Sequence, residues 1–287
     1  MSIKNIIVGI DSSNIASEVL KRAFLVSKEK ELHITVLHVI ETTFMETFFT
    51  NKNSDEVKQQ ITVKIAQEVQ KLNQFNANVS IVVTMGVAWE EIIEKAQTVK
   101  ADLIIIGANS KEDLSDKIFG STAHKVAQKS NLPLLIVKNL CKKAYENVLA
   151  FSDLSEVSQK SIVFAKEFFK GASFKLVHAY KQLSDFTLTF YNAQEAKDVL
   201  KEKLKEETLE HFEAFKNKVD IQDTKLIEAY YSFNDVLLET AQNQKSDLII
   251  LGSHGVKDAT SYIYGSTSSF LIETVDSDVL IYVPLKN

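Results

Sequence analysis

The chain carries two copies of one pattern. Ala101-Asp102-Leu103-Ile104-Ile105-Ile106-Gly107 is matched by Ser246-Asp247-Leu248-Ile249-Ile250-Leu251-Gly252, 145 positions later (252 − 107). Gly120-Ser121-Thr122 is matched by Gly265-Ser266-Thr267 at the same spacing. Near the start, Asn5 to Ser13 returns as Asn147 to Ser155 at an offset of 142, with Asp11 over Asp153 and Ser13 over Ser155. His38 and His178, on the second apolar run of each copy, stand 140 apart. Offsets that drift by only a few residues across such landmarks indicate a tandem duplication with small loop insertions. A length of 287 residues, about twice that of a usual domain, agrees with two units. The expected domains are residues 1–140 and 145–287, and the boundary falls in Lys138 to Glu146, a polar, lysine-bearing linker that holds Cys141.

What each copy folds into follows from its apolar runs. Ile6-Ile7-Val8-Gly9-Ile10 and Leu103 to Ile106 are short and nearly continuous, the mark of strands covered on both faces in a parallel sheet. Further strands are predicted over Leu32 to Val39, Val79 to Met85 and Leu134 to Val137. Between them, Ala16, Leu20, Ala23 and Phe24 keep helical spacing, as do Val57, Ile61, Ile65, Val69 and Leu72. In the second copy a long surface helix is predicted from Lys197, with Leu200, Leu204, Phe212, Phe215 and Val219 at near-helical steps. Five strands alternating with four helices predict an α/β sandwich with helices on both faces of a mainly parallel sheet.

The glycines locate a candidate site. The chain has only eight, and three of them, Gly252, Gly255 and Gly265, follow the apolar run that ends at Leu251. Glycines at a strand end let backbone N–H groups approach an anion closely, and a Gly-Ser-Thr opening the next helix adds hydroxyls and the positive helix end. The ligand such a loop suits is a phosphate. In open parallel sheets the ligand crevice lies beyond the carboxyl ends of the strands where strand order reverses. With a flavodoxin-like order the loops after strands one and four face each other there, which brings Asp153 opposite Gly252 to Thr267. A carboxylate so placed can accept hydrogen bonds from ribose hydroxyls.

A first strand ending in Asp, an Asp-Leu-Ile-Ile-x-Gly fourth strand and Gly-x-x-Gly-x9-Gly-Ser/Thr after it resemble the universal stress protein family in its tandem two-domain form, over nearly the whole chain. The resemblance implies two tandem flavodoxin-like, adenine-nucleotide-hydrolase-like domains. It also implies that the motif holds the phosphates and ribose of ATP, or of ADP or AMP, with Mg as a possible companion of the nucleotide. The contacts it points to are Asp153, Gly252, His254, Gly255, Gly265, Ser266 and Thr267. The first copy offers Asp11, Gly107, Ser110, Gly120, Ser121 and Thr122, but Ser110 stands where the pattern has its second glycine, so this site is expected to bind weakly or not at all. In the family the last strand often pairs two domains, which here points to Leu134 to Val137 and Asp278 to Val283, with a homodimer as a further option.

Other features constrain the function or leave it open. A net charge of −5 disfavours a nucleic-acid partner, which calls for a basic stripe. No stretch approaches 18 uninterrupted apolar residues, so no membrane span is expected, and the N-terminus runs into a strand without a leader-like apolar region. A single cysteine leaves no internal disulfide framework and points to a reducing cytosol. Asp11 and Asp153 also suit helix N-caps, and His38 and His178 suit satisfied core histidines. His254 either reaches a phosphate oxygen or is exposed; Lys257 has no Walker motif around it. Trp89, Phe44 to Phe49 and Phe186 to Tyr191 fit helix packing or a lid. No water-orienting carboxylate or glutamine is found inside Gly252 to Thr267, where the one acidic residue, Asp258, reads as a loop surface residue, so a nucleotide-responsive stress-response switch is expected rather than an enzyme. A slow ATPase and a ligand-free scaffold are the alternatives.

Overall fold

The computed structural model describes residues 3–28, 30–41, 54–109, 119–181, 197–252 and 266–283. The first half runs β1 (Asn5–Ile10), α1 (Ile15–Ser27), β2 (His33–Glu41), α2 (Ser54–Leu72), β3 (Asn78–Gly86), α3 (Ala88–Thr98), β4 (Leu103–Gly107), α4 (Ser121–Lys129) and β5 (Leu134–Val137). The second repeats this order as β6 (Asn147–Phe151), α5 (Glu156–Phe168), β7 (Ser173–Lys181), α6 (Lys197–Val219), β8 (Asp223–Ala229), α7 (Phe233–Gln244), β9 (Leu248–Gly252), α8 (Ser266–Thr274) and β10 (Asp278–Tyr282). The two Phe-rich segments after the second strands, Phe44 to Phe49 and Phe186 to Tyr191, lie outside the described residues.

All ten strands join one sheet in the order β3-β2-β1-β4-β5-β10-β9-β6-β7-β8. Each half therefore reads 3-2-1-4-5, whereas the flavodoxin order is 2-1-3-4-5. The reversal in each half lies between strands one and four: β1 pairs in parallel with β2 and β4, and β6 with β7 and β9. The loops after these strands consequently sit side by side. The halves meet where β10 pairs antiparallel with β5, Leu280 opposite Leu135.

The apolar runs are continuous because the sheet is covered on both faces. Along β1, Ile6 and Val8 enter one core layer and Ile7 the other, as the strand's two-residue period requires. One layer collects Phe24, Val69, Phe168 and Phe212 from α1, α2, α5 and α6, and the other Ile92, Val126, Leu237 and Leu271 from α3, α4, α7 and α8. Both layers draw residues from both halves. Burial on α2 and α6 is confined to their C-terminal turns, at Ile65 and Val69 and at Phe212, Phe215 and Val219.

The linker differs from its polar appearance. Lys138, Cys141 and Tyr145 are buried, and the reason lies 140 residues away in Asp278, which is 0% exposed. One Asp278 carboxylate oxygen accepts from the backbone N–H groups of Lys138 and Asn139 at 2.9 and 3.1 Å, and the other accepts from the Tyr145 hydroxyl at 2.6 Å. Arg22 of α1 lies 3.7 Å over the Tyr145 ring, donates to the Lys143 carbonyl at 2.9 Å and stands 3.6 Å from Asp278. Lys138 Nζ donates to the carbonyls of Ile272 and Val275 near the end of α8. On the other side, Glu18 accepts from the Cys141 N–H at 2.6 Å. The polar residues of the segment therefore satisfy a buried carboxylate and helix ends rather than solvent, and they tie α1, the linker and β10 into one clasp. Burial pushes the Cys141 thiol up to about 11, which keeps it protonated.

Candidate functional site

At the carboxyl edge of the sheet each half opens a cleft. The second, of about 340 Å³, is lined among the described residues by Asp153 and Ser155 after β6, Gly252 at the end of β9, and Thr267 and Ser268 in the first turn of α8. Its apolar wall comes from Phe151, Val177, Ala179, Phe233, Leu237, Leu251 and Leu271. The first, of about 260 Å³, is lined by Asp11, Gly107, Gly120, Ser121 and Thr122 at the equivalent places, with Ile10, Leu37, Val39 and Ile92 among its apolar residues. Of the residues singled out from the sequence, Asp153, Gly252 and Thr267 line the second cleft and Asp11, Gly107, Gly120, Ser121 and Thr122 the first. Ser266 opens α8 without lining the cleft, while His254, Gly255, Gly265 and Ser110 lie outside the described residues.

The aspartates are fixed by short local bonds. Asp153 Oδ1 accepts from the Ser155 N–H at 3.0 Å and from the Ser158 hydroxyl in α5. Asp11 Oδ1 accepts from the N–H of Ser13 at 3.0 Å and from the Ser13 hydroxyl. Neither aspartate occupies the N-cap position of the following helix, which is taken by Ser155 and Asn14. Ser155 caps α5 by accepting from the Ser158 N–H. Beside Asp153, Leu154 has φ of +63°, a left-handed conformation that costs a branched side chain about 1–2 kcal/mol. Its N–H is held by the Ser152 hydroxyl at 2.9 Å.

The two histidines act on the same loops from behind. His38 Nδ1 bonds the Ile10 carbonyl at 3.1 Å and His178 Nδ1 bonds that of Ser152 at 2.8 Å, so in each half the second strand pins the end of the first, one residue before the aspartate. Bonding a carbonyl places the proton on Nδ1 and leaves Nε2 an acceptor. Burial lowers the pKa of both, against smaller opposing effects of the carbonyl bond and the neighbouring aspartate, which keeps the rings neutral near pH 7. His178 also lines the second cleft and stacks on Phe212, with centroids 6.1 Å apart.

The first glycine of each motif has a packing reason. A Cβ at Gly107 would come within 3.0 Å of Ile15 Cγ2, and one at Gly252 within 3.3 Å of Val157 Cγ1 and 3.4 Å of the Ser158 backbone nitrogen. A side chain here would force the start of the first helix to give by a few tenths of an ångström, and the same closeness brings the backbone of strand four to the cleft. The motif aspartates lie at the opposite edge. Asp102 accepts from the backbone N–H groups of Lys4 and Asn5, and Asp247 from those of Glu146 and Asn147, which holds the start of strand one in each half. They are structural residues, a role that spacing alone does not assign.

Ser158, Ser268, Phe151 and Phe233 were not identified from the sequence, because a lining position depends on strand register and on where a helix begins. The cleft presents an apolar wall, a fixed carboxylate, hydroxyls and a helix N-terminus, a set suited to holding a small molecule with an apolar face, a diol and an anionic end. Among the described residues no group of three or more His, Cys, Asp or Glu is arranged to hold a metal ion, and no helix is long and apolar enough to cross a membrane.

Comparison with known proteins agrees with this architecture. The model of the universal stress protein family matches residues 2–138 and again 144–283. The universal stress protein E homolog of Haemophilus influenzae is 23% identical over all of this chain and 99% of its own length. A universal stress protein of Methanocaldococcus jannaschii is 28% identical over 47% of this chain and 94% of its own. Among solved structures, a putative universal stress protein from Pseudomonas aeruginosa superposes with a TM-score of 0.71 at 18% identity, covering 98% of this chain and 93% of that one. One from Archaeoglobus fulgidus gives 0.67 at 19%, covering 97% of each. With a tandem match over nearly its whole length and the same fold as these structures, the chain belongs to the universal stress protein family.

Proposed function

We propose that the second half binds an adenine nucleotide, ATP or its di- or monophosphate, and that occupancy acts as a stress-response switch on the protein's conformation or partner choice. The observation that carries this is the convergence of Asp153, Gly252 and Thr267 on one cleft at the point where strand order reverses. Asp153 would accept the ribose hydroxyls. The N-terminus of α8, with Ser266, Thr267 and the glycine loop Gly252, His254, Gly255 and Gly265, would take the phosphates, together with any Mg that accompanies them. The base would lie on the apolar wall beside Phe233, Val177 and Ala179. The first half, with Ser110 in its loop, takes ATP weakly or not at all.

The working units are residues 1–140 and 145–287, paired within one chain through β5 and β10; the ladder between these strands and the clasp around Asp278 support that arrangement. A buried, protonated Cys141 as the single thiol suits a reducing cytosol. The test is calorimetric titration of ATP into the wild-type protein and Gly255→Val. Loss of the binding heat in the variant is expected, and unchanged affinity would remove the second glycine loop as the phosphate site.

A further inference from the structure

The aspartate of the second half is gripped by a residue that the first half lacks. Ser158, in the first turn of α5, is 4% exposed. Its hydroxyl donates to Asp153 Oδ1 and accepts from the Asp153 N–H at 3.4 Å, so one buried side chain holds the aspartate by its carboxylate and by its backbone. The Ser155 hydroxyl lies 3.2 Å from that of Ser158 and accepts the Ser158 N–H at 3.2 Å. Ser158 also sits directly behind the start of the glycine motif, since a Cβ at Gly252 would meet its backbone nitrogen at 3.4 Å and its Cα at 3.5 Å. In the first half the equivalent position, 142 residues earlier (158 − 16), is Ala16, which has no hydroxyl to offer. Asp11 is held instead by Ser13, two residues on in its own loop. A bond of that kind ties an aspartate to its loop, whereas the bond from Ser158 ties Asp153 to a buried helix residue packed against strand four.

We propose that Ser158 is the positioning residue of the second half: it fixes Asp153 in the orientation that meets a ribose diol, and so makes this half select nucleotides that carry the ribose hydroxyls over those that lack them. A carboxylate that must be ordered when the ligand arrives gives up part of its hydrogen-bond energy to that ordering, and one already held does not. The Ser158 hydroxyl is engaged by Asp153 and Ser155, so it acts on the ligand through the aspartate. The proposal rests on the reading that the second half holds a nucleotide through Asp153, and it adds the residue on which the choice of sugar depends.

The test compares ATP with its dideoxy analogue, which lacks both ribose hydroxyls, by calorimetric titration of the full chain. The wild type should prefer ATP by about tenfold or more, the scale of a hydrogen bond to a charged group. Ser158→Ala, which gives the second half the residue of the first, should weaken ATP by about tenfold and leave the analogue little changed, so that the preference falls towards unity. Ser161→Ala is the control. Ser161 is 1% exposed on the same helix, and its hydroxyl donates to the Ser158 carbonyl at 2.8 Å rather than to Asp153. A general effect of losing a buried hydroxyl from α5 would appear in both variants, but Ser161→Ala should keep the wild-type preference. If Ser158→Ala keeps that preference, or weakens both nucleotides equally, the role of Ser158 is overturned and the nucleotide site stands. Equal affinities for the two nucleotides in the wild type would overturn the proposal by taking the diol away from Asp153. A wild type that binds neither would overturn the reading of the site itself, and the proposal with it.

Discussion

The first and second clefts are lined by the same backbone and by different side chains. Both have an aspartate after strand one, a histidine bonded to the carbonyl before it, a glycine where strand four passes the first helix, and an aspartate holding the opposite strand ends. Yet Phe151 stands where the first half has Gly9, Phe233 where it has Ala88, and Lys181 where it has Glu41. Duplication has kept what the fold needs to place a cleft and has changed side chains in and beside it.

The largest effect is expected where the comparison is joined rather than where it differs. Asp278→Ala would leave Arg22 buried without its carboxylate and free the linker N–H groups from their acceptor. Loss of one partner of a buried pair typically costs roughly 3–5 kcal/mol. Urea denaturation should register that loss as a lower midpoint, and hydrogen exchange in β5 and β10 should speed up. A change within error would mean that the clasp is not what couples the halves.

A smaller effect separates the apolar walls. If the base stacks on Phe233, Phe233→Ala should weaken ATP by about tenfold, at the lower end of the range of base–aromatic stacking energies. Ala88→Phe in the first half should leave ATP binding unchanged. Equal affinities for wild type and Phe233→Ala would move the base elsewhere in the cleft.

Smallest is the pH response, on which the two halves should agree. Burial lowers both histidine pKa values below 6.5, so the folded protein binds these protons less tightly than the unfolded chain. Their contribution to stability is complete above about pH 6.5 and is lost as pH falls through the lowered folded-state values. Urea midpoints between pH 7 and pH 5 should therefore fall less in His38→Gln and in His178→Gln than in the wild type. A different slope for the two variants would show that the equivalent tethers are not equivalent in environment.

Much of this was legible in the sequence for a physical reason. The runs at Ile6 to Ile10 and Leu103 to Ile106 read as buried strands because both faces of the sheet are covered. Gly107 and Gly252 stood out as glycines at a strand end, where the backbone can approach an anion, and they also sit where a Cβ would crowd the start of the first helix. Features that depend on distant chain were not legible. The linker looked solvated since nothing local reveals that its donors face Asp278. Asp102 and Asp247 belong to the site motif by spacing but lie at the other edge of the sheet. Phe233 and Phe151 became lining residues only once the register of β6 with β9 and the start of α7 were fixed. The half-sheet order 3-2-1-4-5 likewise depends on pairings that no single run encodes.

The inequality of the clefts is tested most directly by counting ATP bound per chain in calorimetric titrations of wild type, Asp153→Ala and Asp11→Ala. One equivalent is expected in the wild type. Asp153→Ala should weaken it by roughly tenfold or more, as expected when a hydrogen bond to a charged group is lost, and Asp11→Ala should leave it unchanged. Two equal sites, or a site lost with Asp11 and kept without Asp153, would contradict the account.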